Sequence, residues 1–412
     1  MASPFRISLS LALGLTALGL VAASPAHPGI DPANLDTSVK PCDNFYEFAN
    51  GGWLKSHTLP ADKSRLGAFT EVMDHNREIL KQILDETSAK RTWKPGSVEQ
   101  KVGDFFAAGM DEKAIEKRGL APMKPIFATI DGLKDSKKLP AVLAKLHNEG
   151  VPGGFGFYVG PDDKDSTHYL GALYQGGLGL PDRDYYLNND ARTKNIREKY
   201  EAHVAKMLQL AGDSADLAKV RARIVLDLET RMAKAAWSRV ELRNPQKTYN
   251  KQTLANLEHA APGFDWALYF KDRGIKLEDL NVGQPSYIAA FAKLASETPA
   301  TEWRTYLRWH AIHDAAPVLP KAFGEESFAF YGKVLNGTPE QEIRWKRVEG
   351  LEDGLIGEAL GQLYVKKAFP PESKQRMLQL VANLRSALHD RILGLDWMSE
   401  ATKAQAIKKL DA

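Results

Sequence analysis

Apolar residues return at every third or fourth position over most of this chain, and that spacing puts them on one side only if the backbone is helical. Phe69, Val72, Met73, Ile79, Leu80, Ile83 and Leu84 form one such stripe. Ile196, Tyr200, Val204 and Leu208 form a second, and Leu217, Val220, Ile224, Leu228 and Met232 a third. A fourth runs through Met377, Leu380, Val381, Leu384, Leu388 and Ile392, and Pro370-Pro371-Glu372-Ser373 before it suits a helix start. The spacing therefore predicts a mainly α fold of many helices. Residues 43–54 read as a short aromatic helical turn ended by Gly51-Gly52. The exception is 153–180, where Phe155, Phe157, Val159, Tyr169 and Leu173 alternate around the polar run 161–166. This predicts a small β-hairpin with a long polar turn.

With 412 residues, the chain has room for two or three structural units. Its 43% hydrophobic and 26% charged residues match a soluble globular body. The net charge of +3 comes from 55 basic and 52 acidic residues whose signs are interspersed, and this argues against a nucleic-acid partner. Short basic pairs such as Lys137-Lys138 and Lys408-Lys409 read as solvated helical surface. At the start, Arg6 precedes an apolar run over 7–23 that ends in Val21-Ala22-Ala23, the pattern of a secretory signal peptide. The run is slightly long for that role, so an uncleaved membrane anchor is the alternative, and the body is expected to be exported either way, to the periplasm or the outside. A lone Cys42 excludes an intramolecular disulfide framework. Residues 402–412 read as an amphipathic helix without a stop signal, as though the chain were cut.

Chemistry is harder to find. A hydrolytic zinc helix carries His-Glu-x-x-His, with two ligands on one face and a carboxylate base between them, yet none of the ten His is followed by Glu. His147-Asn148-Glu149 opens like a zinc deaminase signature, but that chemistry also needs a Cys pair. His310 and His313 share a helical face beside Trp303, Tyr306 and Trp309, where packing against aromatics, with one ring exposed, outweighs metal binding. The glycines at 153–156 and 176–179 lack the spacing of a phosphate loop and read as turns or bulges. No Gly-x-Ser-x-Gly elbow is present. Asp182 and Asp184 suit capping and ion pairing better than glycoside hydrolysis.

Several ordered segments say more. They are Lys40-Pro41-Cys42-Asp43-Asn44-Phe45-Tyr46 leading to Asn50-Gly51-Gly52-Trp53, then Ser64-Arg65-Leu66-Gly67-Ala68-Phe69, and Gly177-Leu178-Gly179-Leu180-Pro181-Asp182-Arg183-Asp184-Tyr185-Tyr186-Leu187. Arg344-Trp345-Lys346-Arg347, Gly357-Glu358-Ala359-Leu360-Gly361 and Leu395-Asp396-Trp397-Met398 follow. Together they resemble the amino-terminal region of the neprilysin family of zinc metalloendopeptidases, from about residue 31 to the last.

The resemblance implies a helical lid domain over a cavity that admits short peptides, with zinc held by a carboxy-terminal catalytic domain of the same polypeptide. The zinc ligands would lie beyond this chain, which is then expected to bind no metal and to have no peptidase activity alone. Its implied layout is a signal peptide over 1–23, a segment over 24–60 that packs on the catalytic domain, and a substrate-enclosing helical domain over 61–412. By position, Arg65 matches the family arginine that holds the carboxylate of a bound peptide, a task suited to a guanidinium fork. Leu66 stands where the family often has an aromatic. Disulfide-rich members have another Cys where this chain has Asn50, and in them the Cys of the Pro-Cys motif bonds to one near the far carboxy terminus, so the resemblance implies that any partner of Cys42 is also downstream. A non-catalytic helical peptide-binding protein is the competing reading.

Overall fold

The computed structural model describes residues 31–90 and 92–412. The signal segment expected over 1–23 lies outside the described residues. The chain divides into two compact units, one ending at Pro60 and one spanning Ala61–Ala412.

In the first unit, helix α1 (Phe45–Ser56) starts where Asn44 accepts a hydrogen bond from the Glu47 amide at 3.1 Å. The expected stop at Gly51-Gly52 is wrong, because the helix runs through both. A Cβ on Gly52 would sit 2.2 Å from the Ala33 carbonyl oxygen, and one on Gly51 2.6 Å from Asp36 Cβ. The pair therefore serves close packing of the preceding segment. Asp36 anchors that contact: its amide donates to Phe48 O at 2.8 Å and its carboxylate accepts from Lys55 Nζ at 2.5 Å. The lysine, then Ser38, holds the Asp36 pKa down at about 2.

The second unit contains α2 (Ala68–Ala89), α3 (Val98–Met110), strands β1 (Phe155–Asp162) and β2 (Asp165–Gln175), α4 (Ala191–Leu210) and α5 (Ala215–Ala235). Strands β3 (Lys251–Thr253) and β4 (Asp279–Val282) follow, then α6 (Ala300–Ala315), α7 (Arg344–Ala368), α8 (Pro371–Leu393) and α9 (Glu400–Asp411), with shorter helices between. The fold is mainly α with one small sheet, as expected. Among the described residues no helix is long and apolar enough to cross a membrane.

The hairpin is present, but its turn is only Asp163-Lys164, not a long polar loop. Asp162 accepts from the Lys164 amide at 2.9 Å and from Lys251 Nζ at 3.1 Å, which draws the polar residues into the strands. Two further strands went unread because each is shorter than a periodic signal. β4 pairs parallel to β2 and antiparallel to β3, giving the order β1-β2-β4-β3.

The main core is built on α4, α5 and α6. The buried residues of α5 are Ala218, Ala222, Val225, Leu228, Glu229, Met232 and Ala233, so the predicted stripe holds at Leu228 and Met232 and fails at its start, where Leu217 and Val220 are exposed. Alanines let α4 approach closely, and a carboxyl group sits where periodicity asks for an apolar residue. Glu229 is fully buried. Tyr186 and Tyr200 donate to it at 2.7 and 2.8 Å, and His310 Nε2 lies 2.9 Å from its second oxygen. Each tyrosine is also an acceptor, Tyr186 from the Leu180 amide at 2.8 Å and Tyr200 from Trp309 Nε1 at 3.0 Å. Burial, then the Glu229 charge, raises both tyrosine pKa values well above their usual range, so they remain donors.

A second cluster joins α2, α3 and α7 through Ile83, Leu84, Val102, Phe106, Val348, Leu360 and Leu363. At Gly103 a Cβ would meet the Thr87 carbonyl oxygen at 2.4 Å, so the glycine sets how closely α3 crosses α2. α7 kinks at Ile356, which has φ −134° and ψ 30°.

Removing Glu229 strands three buried donors, so Glu229→Ala is expected to destabilise the chain by about 3–5 kcal/mol in urea unfolding. A loss below about 1 kcal/mol would contradict the role of this carboxyl group.

Candidate functional site

A cavity of about 570 Å³ opens in the second unit. One wall is a π-helical turn, Phe328–Leu335, which continues the short helix Lys321–Ser327. Such turns are rare and often mark functional positions. The floor is the first two turns of α7, and the loop 336–342 closes the side. Two backbone bonds fix that loop, from the Thr338 amide to Gly332 O at 3.0 Å and from the Glu340 amide to Ala61 O at 3.0 Å. Through the second bond the loop 61–67, which carries Arg65, is tied to the rim, and Asp62 lines the cavity itself.

Four cations line it: Arg77, Arg344, Lys346 and Arg347. Arg77 is matched by Glu342 at 2.7 Å and Glu349 at 3.2 Å. Arg344 grips Gly109 O from Nε at 3.0 Å and Nη2 at 2.6 Å, and meets Glu112 at 3.2 Å. Arg347 donates from Nε to Glu342 O at 3.0 Å and forms no ion pair among the described residues. Burial, then the neighbouring Arg344, lowers its pKa. Glu112, Glu325 and Glu342 oppose that shift without reversing it, and none of their carboxylates pairs with the guanidinium among the described residues.

Arg65 precedes α2 on the exposed loop and makes no hydrogen bond or ion pair among the described residues. Beside it the first turns of α2 leave Phe69 88% exposed, with Val72 and Met73 exposed after it. The stripe predicted for α2 is thus buried only in its second half, at Ile83 and Leu84. A free guanidinium next to an open apolar strip can receive a carboxylate attached to an apolar group.

The model of peptidase family M13 matches residues 41–412. The chain belongs to that family. It is 36% identical to the zinc metalloprotease Zmp1 of Mycobacterium tuberculosis, solved with an inhibitor, at a TM-score of 0.85 over 93% of this chain and 58% of that one. It is 27% identical to endothelin-converting enzyme 1 of Rattus norvegicus over 92% of this chain and 51% of the relative. Endothelin-converting enzyme-like 1 of Mus musculus is 31% identical over 92% of this chain and 50% of its own length. The chain spans about half the length of the curated relatives it matches.

For a peptidase of the M13 family the zinc question is immediate. Among the described residues no three His, Cys, Asp or Glu side chains gather as a metal site, so the residues present do not fit a zinc centre. His310 is committed to Glu229. The ring of His313 packs against Trp309 at 5.2 Å and Tyr331 at 4.8 Å, and burial pushes its pKa down to about 3. Neither ring is exposed, contrary to expectation, because the chain packs around this whole stretch of α6. His147 binds Tyr269 through Nδ1 at 2.7 Å and Gly153 O through Nε2 at 3.0 Å. Asp182 accepts from the Asp184 amide at 2.7 Å and pairs with Arg239, so the Asp-Arg-Asp turn is capped and ion-paired as read. Gly154 and Gly177, from the two glycine runs, have φ of +69° and +75° and are turn residues. Cys42 is exposed and free.

Two acids escaped the sequence reading. Glu349 and Glu352 lie on the face of α7 that packs on α2 and α3, on the stripe of Val348 and Ile356, and an acid on an apolar stripe was the available signal. Glu352 is fully buried, and neither of its oxygens has a hydrogen-bond partner among the described residues. Burial, then Glu349, pushes its pKa up from 4.5 to about 8.

Glu352 therefore stays protonated in the fold where an unfolded chain would ionise it. Its contribution is fully present below pH 4.5 and is lost as pH rises through about 8. Glu352→Gln is expected to match the parent at low pH and to gain about 2–4 kcal/mol on it above pH 8. Urea unfolding at both pH values checks this, and a pH-independent difference would refute it.

Proposed function

We propose that this chain is the amino-terminal part of an exported zinc metalloendopeptidase that hydrolyses short peptides, and that it forms the lid of the substrate cavity. The observation that carries the reading is the unpartnered Arg65 beside exposed Phe69, Val72 and Met73 in a chain of peptidase family M13. Zinc would be held by a carboxy-terminal catalytic domain of the same polypeptide, which would supply the Lewis acid and activated water. The work left to this chain is binding, orientation and exclusion of solvent.

Arg65 orients the substrate by taking its terminal carboxylate on two parallel hydrogen bonds, while the apolar strip receives the side chain next to it. A fixed carboxylate sets the register of the peptide, and register decides which bond meets the catalytic centre. The catalytic domain also explains the outer face of α8, where Met377, Leu380, Val381, Leu384 and Leu388 are all exposed, Leu384 at 62%. A helix with its apolar stripe uncovered suits a partner surface, and a catalytic domain of the same polypeptide would supply it. Residues 24–60 are assigned to packing on the same domain, and 1–23 to export.

Two measurements test this. The purified chain is expected to cleave no peptide with or without added zinc, and chelator-sensitive cleavage would overturn the division of labour. In the longer enzyme, Arg65→Ala is expected to reduce kcat/KM for substrates with a free terminal carboxylate by about 10–100-fold, and far less for their amides. Equal loss for both would remove Arg65 from substrate binding.

A further inference from the structure

We infer that the cavity between the π-helical turn and the start of α7 is a binding site for a small carboxylate-bearing ligand, received by Arg347. This contact is separate from Arg65. That the carboxylate belongs to a peptide rests on the peptidase reading, whereas carboxylate binding as such does not.

The argument begins with charge. Of the four cations lining the cavity, Arg77 and Arg344 are held by acids and by a carbonyl, and their positions are structural. Arg347 is half-buried, and its Nε is fixed on Glu342 O. The guanidinium is thus oriented in advance while its two terminal nitrogens have no protein acceptor among the described residues. Glu112, Glu325 and Glu342 act on it from a distance, and a partly desolvated, oriented cation with no paired counter-ion among the described residues gains from an anion that binds it directly. Lys346, also on the lining and without an ion pair among the described residues, adds to the attraction.

Size and lining select the ligand. About 570 Å³ falls in the range of small-molecule sites, roughly 300–1,000 Å³. Phe328, Tyr331, Val348 and Leu351 offer an apolar wall, and Ser327, Asn336, Thr338 and Gln341 offer hydrogen bonds. Asp62, Glu340 and Glu342 also face the cavity, Glu342 paired with Arg77, and their charges disfavour a dianion such as phosphate. A monoanionic carboxylate matches the planar fork of Arg347 and carries less charge toward the acids. The carboxylate is either a chain terminus or an acidic side chain, and both present the same group.

Calorimetric titration of the full chain carrying Arg65→Ala, which removes the other proposed carboxylate contact, tests the assignment, with Arg347→Gln made in that same background. The probes are 3-phenylpropionate, its amide, an acetylated Phe-Ala dipeptide with a free terminus, the amidated dipeptide, and an amidated dipeptide containing Glu. The carboxylates are expected to bind at least ~10-fold more tightly than the corresponding amides, and Arg347→Gln to abolish that preference. Preference for the free dipeptide marks a terminal carboxylate, and preference for the Glu peptide a side-chain one. Equal binding of acids and amides, or an unchanged preference in folded Arg347→Gln, overturns the site. Should Arg347→Gln not fold, Arg347→Lys keeps the charge without the fork and is expected to lose part of the preference; full retention overturns the role of the guanidinium. Binding of 3-phenylpropionate and not of any peptide supports the site and sinks its peptide occupant. A lid reading that fails at Arg65 leaves these outcomes unchanged.

Discussion

The Glu229 carboxyl group is the interaction on which most of the second unit depends. It lies on α5, takes hydrogen bonds from Tyr186 and Tyr200, and faces His310 on α6. A buried carboxyl group is costly unless its oxygens are matched, and matching it fixes the relative placement of every element that supplies a donor. The chain of bonds then reaches the loop 176–187. Tyr186 receives the Leu180 amide, Tyr306 donates to Gly177 O at 2.7 Å, and Tyr331 donates to Gly179 O at 3.0 Å. The longest family-like segment, Gly177 to Leu187, is therefore a structural clasp. Its glycines let backbone lie against aromatic hydroxyl groups, and a Cβ on Gly179 would fall 1.9 Å from the Tyr200 oxygen.

Tyr331 links this clasp to the cavity. Its hydroxyl group holds Gly179 O while its ring stands against His313 and the cavity wall. The π-helical turn that carries it is thus held by the core on one side and open on the other. The floor is different in kind, because α7 packs on α2 and α3 through a small cluster that includes Glu349 and Glu352. Arg77 bridges Glu342 on the loop to Glu349 on the helix, so the cavity geometry and the charge state of that cluster are coupled through one guanidinium.

Helices with continuous stripes were legible from their spacing, and so was the hairpin. What failed to show were features that depend on another part of the chain. Gly51-Gly52 reads as a helix stop until the segment at Ala33 and Asp36 is seen against it. β3 and β4 have three and four residues, too few for alternation to stand out; β4 forms on the edge of β2, and β3 on the edge of β4. The start of the α5 stripe was misplaced, at Leu217 and Val220, because alanine is a weak hydrophobic marker but a strong packing residue. Arg65 was reached through its motif alone; an arginine before a helix has no distinguishing pattern. Arg347 lay within a recognised motif, yet its lack of a counter-ion is a property of three-dimensional neighbours.

The same comparison bears on how the chain is used. Glu229 is matched inside while Glu352 is not, and among the described residues two helices leave an apolar stripe open, the start of α2 and one face of α8. Folding normally removes such stripes from water, at about 25 cal/mol per Å² of apolar area. Leaving α8 uncovered along Met377, Leu380, Val381, Leu384 and Leu388 forgoes that gain over several turns. A helix that forms without burying its stripe within its own unit lacks the packing from which most helices draw their stability. The open strip at α2 differs, because it sits beside a cation free to bind and is short. On the proposed lid reading, the extended apolar face would take a permanent partner surface, and the short apolar strip next to Arg65 a ligand that comes and goes.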